Sequence, residues 1–213
     1  MYKKNILILM WALLSSQQVL SGNLQAGKQK AMVCAACHQI DGNSMVPIYP
    51  KIAGQSLSYL KKQLTDYRSA MRTGGQEGRQ NAIMGALVVA LSDQDIDDLS
   101  TYFSHQALSY RASSPPDDPM QKKQYELGKQ LYRGGDMDRH IAACASCHGW
   151  QGQGLASAGF PRISGQNAPY LQDQLKAFRS YKRQNDMNHM MRSTAKKLTD
   201  KDIQNLTIYI STL

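Results

Sequence analysis

Cys34-Ala35-Ala36-Cys37-His38 and Cys144-Ala145-Ser146-Cys147-His148 decide how this chain is read. Both are Cys-x-x-Cys-His, the pattern for covalent attachment of a c-type haem. On one turn of helix, two thiols three residues apart each reach a vinyl group of one porphyrin and form thioethers. The histidine that follows lies under the ring and offers an imidazole nitrogen to the iron. All four cysteines of the chain are used in this way, and none is left for a disulfide. Zinc half-sites and thioredoxin-like redox pairs also read Cys-x-x-Cys. Zinc needs both pairs to converge on one metal, and these lie 110 residues apart in repeats that look self-contained. A redox dithiol has no use for the histidine.

Around the two motifs the chain repeats itself. Pro50-Lys51-Ile52-Ala53-Gly54-Gln55 returns as Pro161-Arg162-Ile163-Ser164-Gly165-Gln166. Tyr59-Leu60, Gln63-Leu64 and Arg68-Ser69 return as Tyr170-Leu171, Gln174-Leu175 and Arg179-Ser180. Leu91-Ser92-Asp93-Gln94-Asp95-Ile96 returns as Leu198-Thr199-Asp200-Lys201-Asp202-Ile203. The landmarks keep their order, so each half is a complete module. Ser113-Ser114-Pro115-Pro116-Asp117-Asp118-Pro119 cannot continue a helix and marks a linker. The expected division is 22–108, a linker at 109–120, and 121–213.

Each module reads as helical. Leu57, Leu60, Leu64 and Tyr67 share one helical face, as do Ala168, Leu171, Leu175 and Phe178. Ser92 with Asp95, and Thr199 with Asp202, open the last helix of each module in the manner of a capping box. Ile96, Leu99, Tyr102 and Phe103 form its apolar face in the first half, and Ile203, Leu206, Tyr209 and Ile210 in the second. Gly27 and Gly128 sit in the opening helices, where a missing side chain lets another helix pack close. No run of strand-like alternation stands out. A module of about 90 residues is small for a self-sufficient core, and a porphyrin supplies apolar interior.

The N-terminus has the form of a secretory leader. Lys3 and Lys4 precede an apolar run from Ile6 to Leu14, followed by small and polar residues through Ser21 and Gly22. Residues 1–21 are the expected signal peptide, too short in its apolar core to span a membrane comfortably. Export to the periplasm agrees with c-type haem attachment. Removing Lys3 and Lys4 takes the formal charge from +9 to +7. That balance could steer the protein to an acidic docking surface or to anionic lipid, giving peripheral membrane association. Nucleic acid is a poor partner, because the basic residues are spread over both halves without interleaved aromatics.

A six-coordinate iron needs a ligand opposite the histidine. Met84 lies seven residues before Leu91, and Met191 seven before Leu198. A thioether favours reduced iron and raises the potential, as suits a carrier. Methionines also fill cores, and the chain has 11. Met187, His189 and Met190 crowd the second site; repeat register favours Met191 over Met190. Met71 is too close to the preceding helix to compete with Met84. His105 and His140 have no repeat partner and read as surface. The carbonyls of Pro50 and Pro161 are placed to accept the imidazole N–H of His38 and His148.

With both haem motifs, both methionines and the duplicated Pro-x-Ile-x-Gly-Gln segment in place, the chain resembles the cytochrome c4 family from about Leu24 to Leu213. The resemblance implies an all-α fold of two tandem class I cytochrome c domains related by a pseudo-twofold axis. It implies two covalent c-type haems close to each other across the interface. Cys34 and Cys37 would hold one, with His38 and Met84 as axial ligands. Cys144 and Cys147 would hold the other, with His148 and Met191. Gly134 to Ile141 is longer than its counterpart in the first half. The implied function is a periplasmic electron carrier of the respiratory chain, taking electrons from an upstream respiratory donor and passing them to a terminal oxidase. It would turn over no small-molecule substrate. The rivals are a dihaem enzyme, such as a peroxidase or sulfur-compound dehydrogenase, and a haem subunit fixed in an oxidase complex. An enzyme needs an open or unusually ligated iron and acid–base groups beside it; matched methionines argue against that.

Overall fold

The computed structural model describes residues 22–109 and 116–213. The expected leader at 1–21 and the middle of the expected linker lie outside the described residues. The first half carries α1 (Leu24–Lys30), α2 (Ala35–His38), α3 (Leu57–Arg72), α4 (Ala82–Val88) and α5 (Asp93–Ser104). The second carries α6 (Pro119–Gly134), α7 (Ala145–His148), α8 (Ala168–Arg179), α9 (Met190–Ala195) and α10 (Asp200–Ile210). The all-α expectation holds. Among the described residues, strand-like pairing is limited to the isolated bridges Asp136–Ile141 and Leu155–Phe160.

The helix starts follow from side-chain oxygens placed to take up orphan backbone N–H groups. Asn23, Ser56, Asn81 and Asp118 cap α1, α3, α4 and α6. Both expected capping boxes form in full, Ser92 with Asp95 on α5 and Thr199 with Asp202 on α10.

In each half the first helix crosses the last, and a glycine sets the approach. A Cβ on Gly27 would lie 2.2 Å from the Asp98 carbonyl oxygen. The same atom on Gly128 would lie 2.0 Å from that of Asn205. Ile96, Leu99, Tyr102 and Phe103 are buried on α5, and Ile203, Leu206, Tyr209 and Ile210 on α10. Against α5, Ala31 and Leu60 complete one core; against α10, Leu131, Tyr132, Ile141 and Leu171 build the larger other. Leu57 departs from its expected face, being 43% exposed in the first turn of α3. Gln63 takes a buried position on that helix instead.

Arg68 and Arg179 explain why they recur. Arg68 donates to the Leu91 carbonyl at 2.8 Å and pairs with Asp93. Arg179 donates to the Leu198 carbonyl at 3.0 Å and pairs with Asp200. Each arginine pins the loop between the short methionine-bearing helix and the last helix of its half.

The halves meet through reciprocal polar contacts, which is the signature of a pseudo-twofold axis. Arg79 donates to Gln63 Oε1 of its own half at 2.8 Å and to Gln174 Oε1 of the other at 2.5 Å. Arg183 donates to its own Gln174 Oε1 at 2.8 Å and across to Gln63 Oε1 at 3.1 Å. Arg79 also reaches the Tyr170 hydroxyl at 3.3 Å, and Arg183 the Tyr59 hydroxyl at 3.0 Å.

Candidate functional site

Each Cys-x-x-Cys-His motif forms one tight helical turn, α2 and α7. Cys34 and Cys144 stand at the turn's N-terminus and accept the histidine backbone N–H on their carbonyls, both at 2.9 Å. The turn ends in a residue with positive φ, Gln39 at 61° and Gly149 at 80°. Glycine adopts that conformation freely; at Gln39 the first half accepts a strained side chain in its place.

A tyrosine fixes the exit from each turn. The Tyr102 hydroxyl donates to the Ile40 carbonyl at 2.9 Å, and the Tyr132 hydroxyl to the Gly149 carbonyl at 2.7 Å. The two tyrosines are not repeat partners. Tyr102 comes from the last helix of its half, Tyr132 from the first of its own. Tyr209, the true counterpart of Tyr102, is buried with its hydroxyl unpartnered among the described residues.

The imidazoles are buried, His38 at 7% and His148 at 8% exposure, and both are oriented as the prolines suggest. His38 Nδ1 lies 2.9 Å from the Pro50 carbonyl oxygen, and His148 Nδ1 2.9 Å from that of Pro161. A carbonyl can only accept, so Nδ1 carries the proton and the Nε2 lone pair is left for a metal. Burial lowers the pKa of both rings, against the pull of the proline carbonyl upward. Neutral imidazole is the form that ligates.

The thiols are half-buried and unpaired. Burial, then the neighbouring Cys37, pushes the Cys34 thiol up to about 11. Burial likewise pushes Cys144 up to about 11. Among the described residues no group of three His, Cys, Asp or Glu side chains could hold a metal ion. Two thiols and one neutral imidazole on a single turn are the donor set that a covalent haem requires, so these residues fit that group.

Met84 lies in α4 and Met191 in α9, each half-buried and each four residues before the last residue of its helix. The helices begin differently. Asn81 caps α4 in the ordinary way, whereas Asn188 and His189 precede α9 with φ of 50° and 59°. Asp186 then steadies α9, accepting from the Arg192 backbone N–H at 2.9 Å and its Nε at 2.6 Å. Met190 is half-buried, while Met187, His189, His105 and His140 are exposed.

Residues 24–107 and 125–213 match the family model described as cytochrome c. The chain is 43% identical over 196 residues to cytochrome c4 of Stutzerimonas stutzeri, covering 91% of this chain and 90% of that protein. It is 34% identical over 185 residues to a protein of S. stutzeri strain A1501 named thiosulfate dehydrogenase electron acceptor. That match covers 85% of this chain and 79% of the relative. The crystal structure of reduced recombinant cytochrome c4 from Pseudomonas stutzeri matches with a TM-score of 0.84 at 40% identity. It covers 91% of this chain and 100% of that one.

Proposed function

This chain belongs to the cytochrome c4 family, and from that premise we propose that it shuttles electrons in the periplasm between a respiratory donor and a terminal oxidase. It is a dihaem electron carrier of two cytochrome c domains, and its cofactors are two covalently attached c-type haems. When bound, each supplies a one-electron Fe(III)/Fe(II) couple. In this reading the domains are 22–108 and 121–213, joined by 109–120, behind a leader at 1–21.

Cys34 and Cys37 would hold the first haem by thioethers, and His38 and Met84 would ligate its iron. Cys144 and Cys147 would hold the second, with His148 and Met191 on its iron. The observation that carries the reading is the pair of buried imidazoles, each with Nδ1 committed to a proline carbonyl. That bond fixes the tautomer, aims Nε2 and makes the nitrogen a better donor. With Met84 and Met191 on the two irons, neither would be open for substrate, and no small molecule would be turned over. No helix among the described residues is long and apolar enough to cross a membrane, and membrane association in this reading is peripheral.

A second reading of the electron source has support. The similarity to a protein named thiosulfate dehydrogenase electron acceptor favours a thiosulfate dehydrogenase as donor. The carrier role is the same in both.

The test is carbon monoxide binding to the reduced protein at neutral pH, followed in the haem absorption spectrum. Six-coordinate iron at both sites gives no binding. Ready binding at one haem removes its methionine from the ligand set and reopens the search for a substrate. Stopped-flow mixing of the oxidised protein with respiratory membranes supplied with a reducing substrate, and with thiosulfate dehydrogenase and thiosulfate, separates the two donor readings; mixing the reduced protein with oxidase-containing membranes tests the acceptor.

A further inference from the structure

A hydrogen-bond relay crosses the domain interface at each haem-binding turn. The Pro50 carbonyl and the Lys51 N–H belong to one peptide unit. Its oxygen faces His38 Nδ1 at 2.9 Å, and its N–H donates to Gln166 Oε1 at 2.8 Å. Gln166 Nε2 donates back to the Lys51 carbonyl at 2.8 Å, closing a two-point grip. Gln166 belongs to the other half. The mirror contact is complete: Pro161 O faces His148 Nδ1 at 2.9 Å, and Arg162 N–H donates to Gln55 Oε1 at 3.0 Å. Gln55 Nε2 donates to the Arg162 carbonyl at 2.9 Å.

Both glutamines are buried, and neither amide is free to turn. Each Oε1 also accepts the next residue's backbone N–H at 2.9 Å, from Ser56 and from Asn167.

We propose that Gln166 and Gln55 are positioning residues that act in trans, each setting the orientation and basicity of the other half's axial histidine. The inference rests on His38 and His148 being the iron ligands proposed above. A peptide whose N–H is engaged has a more polarised carbonyl, because hydrogen bonds in a chain strengthen one another. The Pro50 oxygen therefore pulls harder on the His38 Nδ1 proton while Gln166 holds Lys51. A ring that gives up more of that proton donates more charge through Nε2, which stabilises Fe(III) and lowers the potential. The grip also fixes the peptide plane, and with it the azimuth of the ring. Each domain thus carries the tuning residue of its neighbour.

The alternative is that the glutamines only hold the halves together. The two roles differ in where the effect lands. Loss of docking disturbs both haems, whereas loss of the relay disturbs the haem of the opposite half. The experiment uses the full-length dihaem protein with Gln166→Leu and, separately, Gln55→Leu. The potential of each haem and the solvent exchange of each histidine Nδ1–H are followed by NMR through a redox titration. Gln166→Leu is expected to raise the potential of the N-terminal haem and speed exchange at His38, leaving His148 and its haem unchanged. Gln55→Leu is expected to do the reverse. A shift in the variant's own half, an equal shift in both, or none at all overturns the proposal. Gln166→Asn guards against a leucine variant that does not fold: its amide is one methylene short of Lys51, so faster exchange at His38 is again expected, and unchanged exchange there overturns the relay. Paramagnetically shifted imidazole resonances in the oxidised parent report ligation independently. Their absence removes the proposed ligands; their presence with unmoved potentials removes the relay alone.

Discussion

Gly128 lies against Asn205 so closely that a Cβ on it would meet the Asn205 carbonyl oxygen at 2.0 Å. An alanine in a helix interior normally gains about 1 kcal/mol over glycine. Here the contact is with backbone, which cannot swing away, and overpacking costs about 1–3 kcal/mol or more. The clash wins. Gly128→Ala is expected to lose on the order of 2 kcal/mol in urea unfolding of the haem-loaded protein. Gly27→Ala, aimed at the Asp98 oxygen, should behave alike. A stabilised variant at either position would mean that the helices do not cross there.

Tyr102 and Tyr209 occupy equivalent places but are expected to respond in opposite ways to the loss of a hydroxyl. Tyr102→Phe gives up the bond to Ile40 and leaves that carbonyl unpaired, at a cost of about 0.5–1.5 kcal/mol. Tyr209→Phe removes a buried hydroxyl that has no partner among the described residues. It should leave stability unchanged or raise it, since an unsatisfied buried polar group costs about 1–3 kcal/mol. Thermal unfolding of the two variants side by side decides the matter, and equal losses would refute the distinction.

The Asp186–Arg192 ion pair is buried, with side-chain exposures of 3% and 9%. Asp186→Ala strands the guanidinium and frees the first turn of α9, where Met191 sits. Breaking one side of such a pair costs about 3–5 kcal/mol. The expected outcome is lowered stability together with carbon monoxide binding at the C-terminal haem only. Binding at the N-terminal haem instead would disconnect Asp186 from its own half's methionine.

Low pH should weaken the packing of α1 on α5. Hydrogen bonding to Lys30, then to Ser92, pulls the Asp95 carboxyl down to about 2. Burial of Asp98 works against ionisation, but hydrogen bonds from Lys30, Asn23 and Gln94 hold its pKa below the ordinary value. A carboxyl with a depressed folded pKa contributes stability above its unfolded value, near 3.8, and loses it as pH falls through the folded one. Unfolding midpoints should therefore drop from about pH 4 toward about pH 2. Lys30→Met should flatten that slope. An unchanged slope in the variant would show that other groups carry it.

Much of this was legible in the sequence because it repeats. Asp98 and Asn205 differ in charge, yet Gly27 and Gly128 marked both helix crossings. The prolines were readable because each opens a repeated segment 12 or 13 residues after its histidine, and a ligand imidazole needs a backbone acceptor for its Nδ1–H. Gln55 and Gln166 were visible as landmarks, but their task depends on the halves facing each other, which a linear repeat does not state. Arg79 and Arg183 left no signal at all. They are 104 residues apart, while the helices that they join repeat at 111, so no register pairs them. Tyr132 was equally hidden, standing where the first half has Ala31 and performing the task of Tyr102 from a different helix.

The reciprocity of the glutamine and arginine contacts has a consequence for the origin of the chain. What one half gives to the other is returned by the matching residue, the isologous form that closes a symmetric homodimer. A single-module ancestor bearing these glutamines would close on a second copy of itself. Joining two such modules in one chain would make permanent an association that mass action alone maintains. It would also free the copies to diverge, as in the longer loop of one half, stapled by Arg139 to Asp136 and Asp202.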